Sequence, residues 1–94
     1  MTQQSYGAAS FTVTQNALST NAEAIFAARP TRTRAVVKNT DSSITVYIGE
    51  ADTVTSSTGI SLLAGESIAL FTTAAVYAIA ASSTPTVALL EEYE

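Results

Sequence analysis

The side chains that could do chemistry in this chain are eight carboxylates, four cations, eleven serines and fifteen threonines, with no His and no Cys. A hydroxyl nucleophile needs a base beside it. Here that base would have to be Lys38, the one lysine, or a carboxylate, and so many hydroxyls single out no serine. Asp41, Glu50, Asp52 and Glu66 could pair as acid and base, as the carboxylates of glycosidases do. Such a pair works in a deep groove with aromatic walls, and the chain has no Trp and only three Phe and four Tyr. Glu50-Ala51-Asp52 could offer oxygens to Ca²⁺, but no Asp-x-Asp-x-Asp-Gly loop is present. Gly7, Gly49, Gly59 and Gly65 are scattered and form no phosphate-cradling loop. The residues therefore predict no enzyme, no catalytic residue, no cofactor and no metal site.

What remains is the pattern of charge. Net charge is −4, yet Arg29, Arg32, Arg34 and Lys38 are the only cations and lie within a ten-residue stretch. From Asn39 onward there are seven acids and no base, ending in Glu91, Glu92 and Glu94. One reading is that these charges keep strand edges from aggregating. The other is that a basic patch on one subunit meets an acidic edge on the next or on an acidic scaffold. Four cations in an acidic chain, with no aromatic platform beside them, predict no nucleic-acid binding. Residues 1–9 are small and polar and would form a flexible arm, with Tyr6 as its anchor if it orders on a neighbour. The candidate protein-interface residues are thus Tyr6, Arg29, Arg32, Arg34, Lys38, Glu91, Glu92 and Glu94.

The elements that must hold these residues read as strands. Short apolar runs recur every eight to eleven residues from Ala35 onward, broken by Ser, Thr, Gly and Asp, as in a sandwich or barrel of antiparallel strands. Phe11 and Val13 alternate with Thr12 and Thr14 in a first strand, and Asn16 to Asn21 reads as a turn. Asn21 to Ala28 fits a two-turn helix or a strand, and strand neighbours with a stop at Arg29-Pro30 favour the strand. Thr33 to Asn39 is a strand, the polar stretch Asn39 to Ser43 a hairpin loop, and Ile44 to Ile48 its return. Glu50 to Gly59 is an exposed loop with Val54 as its one clear apolar residue. Ile60 to Leu63 and Ile68 to Phe71 form a second hairpin around Gly65, and Val76 to Ala81 and Thr86 to Leu90 close the fold. The expected architecture is all-β: a single antiparallel β-sandwich, jelly-roll or Ig-like, of seven to eight short strands over residues 10–94.

Ninety-four residues make one small domain with a modest core. Without cysteine or a metal site, oligomerisation is the remaining way to reinforce it. Hydrophobic residues make up 47% and charged residues only 13%, where small solvated domains carry nearer a quarter charged. Several strands are apolar on both faces, which asks for a second packed surface from another subunit. The start of the chain carries no basic, apolar signal segment, and no apolar run approaches the length that spans a bilayer. The expectation is a soluble protein made in the cytoplasm, with no membrane partner.

Five pieces occur in order: Arg34-Ala35-Val36-Val37-Lys38-Asn39, Val46-Tyr47-Ile48-Gly49, Thr58 to Ile68 with its Ala64-Gly65-Glu66-Ser67, Ala75 to Ala81, and Val87 to Glu92. Together they resemble a group of small structural proteins encoded with the head genes of tailed bacteriophages, over Arg29 to Glu92. The resemblance implies a structural virion protein on the capsid surface, a decoration or cement protein that stabilises the lattice. Its partners would be copies of itself, as trimers, and the major capsid protein, with no catalytic residues to carry over. Tail, neck and fibre proteins use similar sandwiches, and a carbohydrate- or receptor-binding module is a further alternative. The first thirty residues match the pattern less well.

Overall fold

The computed structural model describes residues 10–94, so the expectations for Tyr6 and the 1–9 arm lie outside the described residues. Eight strands form: β1 (Ser10–Ala17), β2 (Glu23–Phe26), β3 (Arg32–Asn39), β4 (Val46–Gly49), β5 (Ile60–Leu62), β6 (Ser67–Leu70), β7 (Val76–Ala80) and β8 (Thr86–Tyr93). They make two four-stranded antiparallel sheets, a first in the order β1-β8-β3-β6 and a second in the order β2-β7-β4-β5. This winding is a jelly roll of two interleaved Greek keys, the arrangement common among viral capsid and lectin domains. It decides between the two sandwich types that the strand pattern leaves open.

The alternation that predicted strands also sorts their faces. Val46 and Ile48 of β4 are buried while Tyr47 between them is half-buried, and Val76, Ala78 and Ala80 of β7 are buried while Tyr77 and Ile79 are half-buried. From the first sheet, Ala35, Val37, Val87 and Leu89 close the core against them. The ambiguous stretch after Asn21 is the strand β2, in which Phe26 enters the core. Leu18 is among the most buried side chains. It falls in the segment expected to be a polar turn, and its N–H donates to the Pro85 carbonyl at 2.8 Å.

Both expected hairpins are corrected. β3 and β4 lie in different sheets, and so do β5 and β6. Every connection but one crosses from sheet to sheet, and the exception is β4–β5, paired across the long 50–59 loop. A buried asparagine anchors two of the crossings. The Asn39 amide donates to the carbonyls of Ile44 at 2.8 Å and Leu62 at 2.9 Å, and its Oδ1 accepts from the Asp41 N–H at 3.0 Å. Its backbone N–H donates to Glu66 O and its carbonyl accepts from Gly65 N–H, both at 2.8 Å. A buried amide must find partners for all its polar atoms. Here those partners sit on the segments that leave one sheet and enter the other. Gly65 takes the expected positive φ, +83°.

Candidate functional site

The basic stretch and the acidic tail meet inside one protomer. β3 and β8 run antiparallel side by side, which brings Arg29 to Arg34 next to Glu91 and Glu92. A break in register between Arg32 and Arg34 leaves Thr33 unpaired, and such a bulge re-aims the neighbouring side chains. Arg34 stays on the outer face opposite Glu92, with a two-pronged contact at 3.0 and 3.1 Å. Arg32 turns inward, and 0% of its side chain is exposed. Its guanidinium donates to Glu91 Oε2 at 2.9 Å, to the carbonyls of Thr72 at 2.9 Å and Ala74 at 2.8 Å, and to the carbonyl of Ala27. The Phe26 ring lies 5.3 Å from its central carbon. One arginine thus ties the end of β2, the β6–β7 connection and β8, drawing on both sheets.

Arg29 completes the cluster from the rim. It donates to Glu91 Oε1 at 2.8 Å and lies 3.4 Å over the Tyr93 ring. The Tyr93 hydroxyl in turn is 2.9 Å from Thr12 Oγ1 on β1. In these three ion pairs, with a stacked ring and three captured carbonyls, both carboxylates are taken up by arginines, and the arrangement clamps the end of the sandwich. Charges that the sequence left free to meet across subunits are matched within the chain for Arg29, Arg32, Arg34, Glu91 and Glu92. Lys38 and Glu94 make no ion pair among the described residues. Both are exposed.

Lys38 sits on a second feature, which the sequence pattern did not show. In an antiparallel sheet, residues directly opposite share a face. The pairings Val13↔Leu90, Leu90↔Val36 and Val36↔Ala69 therefore place one apolar row straight across all four strands of the first sheet, on its outer face. Phe11, Glu92 and Arg34 flank the row on one side, and Gln15, Ala88, Lys38 and Ser67 on the other. Phe11 is 66% and Val13 58% exposed. The signal available in sequence was the apolar residue on the wrong face of each strand, as at Val36 and Leu90.

Two concavities occur among the described residues. One, of about 250 Å³, opens between the sheets beside β5 and β6 and is lined chiefly by Ile48, Ile60, Leu70 and Val76. The other, of about 140 Å³, lies under the 50–59 loop around Val54. Neither holds a cluster of metal-ligating side chains among the described residues. Of the carboxylates, Asp41 is held below its ordinary value of 3.8, first by the backbone N–H of Ile44 and then by that of Ser43. That is the chemistry of a loop cap at the β3–β4 crossing.

No family model matches the chain, and no curated protein matches it. Among solved structures it is similar to the stem and receptor-binding domain of the spike protein P1 from bacteriophage PM2. The TM-score is 0.66 at 17% identity, covering 87% of this chain and 33% of that one. It is equally similar to a chain in the X-ray structure of the entire lipid-containing bacteriophage PM2, with a TM-score of 0.66 at 17% identity over 88% of this chain and 25% of that one. A weaker likeness, with a TM-score of 0.47 at 13% identity over 99% of this chain and 98% of that one, is to a chain of the Bacillus endospore appendages that form disulfide-linked pili. The chain spans a third or less of the two phage chains, and at this identity the likeness is one of fold.

Proposed function

We propose that this protein is a structural module of a bacteriophage particle, held in place by packing the outer face of its first sheet against neighbouring protein. The observation that carries the reading is the row Val13–Leu90–Val36–Ala69, which crosses the sheet on the side away from the core. Burying apolar area is favourable by roughly 25 cal/mol per Å², and the row, with Val13 and Ala69 exposed and Val36 and Leu90 half-buried, offers such area within a polar rim. The rim is present in Arg34, Glu92, Lys38 and Gln15. The end cluster of Arg29, Arg32 and Glu91 serves this role indirectly, because it fixes β8 and β3, the two central strands of the docking face.

In the finer reading the module decorates a capsid lattice and cements it, with the major capsid protein and further copies of itself as partners. The ordered motif pieces from Arg34 to Glu92 support this, and many copies on a lattice let weak contacts add through avidity. A second reading, a module of a spike or receptor-binding protein, is favoured by the fold likeness to the PM2 spike chain. The two differ in where the module sits on a particle.

The test is incorporation into particles. Val36→Lys and Leu90→Lys place charge on the outer face without touching the core. The proposal expects both variants to stay folded and to be lost from purified particles, at least about tenfold below wild type if each costs ~1.4 kcal/mol of docking. Incorporation at the wild-type level would overturn the docking face.

A further inference from the structure

Among the described residues, nothing protects the β1 edge of the first sheet. A free strand edge presents unpaired N–H and C=O groups, and proteins blunt such edges by shortness, charge, proline or a bulge. Three of the four edges here are blunted. β5 has three residues and β6 four, while β2 has four, carries Glu23 and breaks register between Ala24 and Phe26. β1 is the contrast: eight residues, SFTVTQNA, with no charge and no proline, in eight unbroken pairs with β8. Ser10 to Gln15 are all exposed.

The orientation of the edge groups follows from one bond. Leu18 N–H donates toward β8, to the carbonyl of Pro85. In an antiparallel ladder both backbone groups of a residue point to the same side, and the side alternates along the strand. Asn16, Thr14 and Thr12 therefore face β8, and the N–H and C=O of Phe11, Val13 and Gln15 point out of the sheet.

We propose that β1 pairs antiparallel with β1 of a second copy, about a twofold axis through Val13. In that register Val13 opposes Val13 of the second copy and Phe11 opposes Gln15, and all three residues have outward-facing backbone groups to exchange. Thr12 falls opposite Thr14. The strand suits itself: no charges meet, and β-branched and threonine cross-strand pairs are favourable. What commits the edge to a copy of this chain is continuity. The row Ala69–Val36–Leu90–Val13 meets its own image, so eight strands carry a single apolar band on one face. The interface is isologous, and it builds dimers where the phage resemblance implies trimers. It goes beyond the virion reading and does not depend on it, since the pairing forms in the purified protein.

The chain has no cysteine, so Val13→Cys introduces a single thiol. Cα atoms of a hydrogen-bonded antiparallel pair lie about 5.5 Å apart, within the span of a disulfide. Under mild oxidation Val13→Cys is expected to form a disulfide dimer at least about tenfold faster than Ala69→Cys, whose residue lies on the far edge of the sheet. Wild type is expected to sediment as a dimer. Val13→Pro removes an outward N–H and spares the β8 ladder, and it is expected to sediment as a monomer with an unchanged β-sheet circular dichroism spectrum. If Val13→Pro does not fold, the cross-linking comparison decides. Wild type that stays monomeric, a folded Val13→Pro that stays dimeric, or equal cross-linking of the two cysteine variants would each overturn the proposal. None of these results bears on particle incorporation, which the face variants read separately.

Discussion

Arg32 and Glu91 meet at 2.9 Å where no part of the arginine side chain reaches water. A buried guanidinium is costly unless every donor is answered, and removing it leaves its partners unpaired. Glu91 would keep Arg29, but the carbonyls of Thr72 and Ala74 would lose their donor. Arg32→Ala is therefore expected to lower unfolding free energy by about 3–5 kcal/mol in urea titration. Arg34→Ala should cost no more than about 1 kcal/mol, because its pair with Glu92 is 42% and 27% exposed. Equal losses would refute this ranking.

Asn39 makes the second prediction. Its carboxamide serves two carbonyls and one N–H at a point closed to solvent. Asn39→Leu keeps the volume and strands those groups, at an expected cost of about 2–4 kcal/mol. Asn39→Asp turns a carboxylate toward the carbonyls of Ile44 and Leu62 and should fare no better. A thermal midpoint unchanged in either variant would remove Asn39 as the anchor of the sheet crossings.

These two residues also mark where reading the chain in one dimension stops. The alternation at Val46-Tyr47-Ile48 and Val76-Tyr77-Ala78 is local, so the strands and their buried faces could be read directly. A short polar turn has the same composition whether the next strand pairs alongside or crosses to the other sheet, and so Asn39–Ser43 and Ala64–Ser67 read as hairpins. The clustered cations stood out, but their partners are about sixty residues away and β8 alone brings them together. Apolar residues on outward faces, such as Val36 and Leu90, could be seen one by one, but not their alignment into a row, because its four residues come from four strands that are neighbours only after folding.

The glycines around Val54 give a steric prediction. A Cβ on Gly49 would lie 2.5 Å from Val54 Cγ2, and one on Gly59 2.8 Å from the same atom. Gly49→Ala should cost about 1–3 kcal/mol by overpacking, and adding Val54→Ala should recover part of that loss. Gly65 is the opposite case, with open space but φ +83°, so Gly65→Ala should cost about 1–3 kcal/mol through backbone strain. No second change at Val54 should relieve it. Thermodynamic coupling measured in a double-mutant cycle separates the two causes, and its absence between Gly49 and Val54 would count against the wedge.

Asp41 supplies the pH prediction. Its Oδ2 accepts from Ser43 N–H at 2.9 Å and Ile44 N–H at 2.7 Å, and these bonds favour the charged form. A carboxyl whose folded pKa is depressed adds stability above its unfolded value, and that contribution is lost as pH falls through the folded value. The loop cap should therefore hold at neutral pH and weaken only in acid below 3.8. An NMR titration is expected to show the Ser43 and Ile44 amides shifting with a common midpoint under that value. A midpoint at or above it would contradict the cap.

The outer face of the β1-β8-β3-β6 sheet is expected to be covered by protein in a phage particle. Electron microscopy of particles purified from cells that produce this protein measures that directly. The expected result is density for the jelly roll with Val13, Leu90, Val36 and Ala69 pressed against a neighbouring subunit. Particles that lack the protein, or that hold it with this row turned to water, would contradict it.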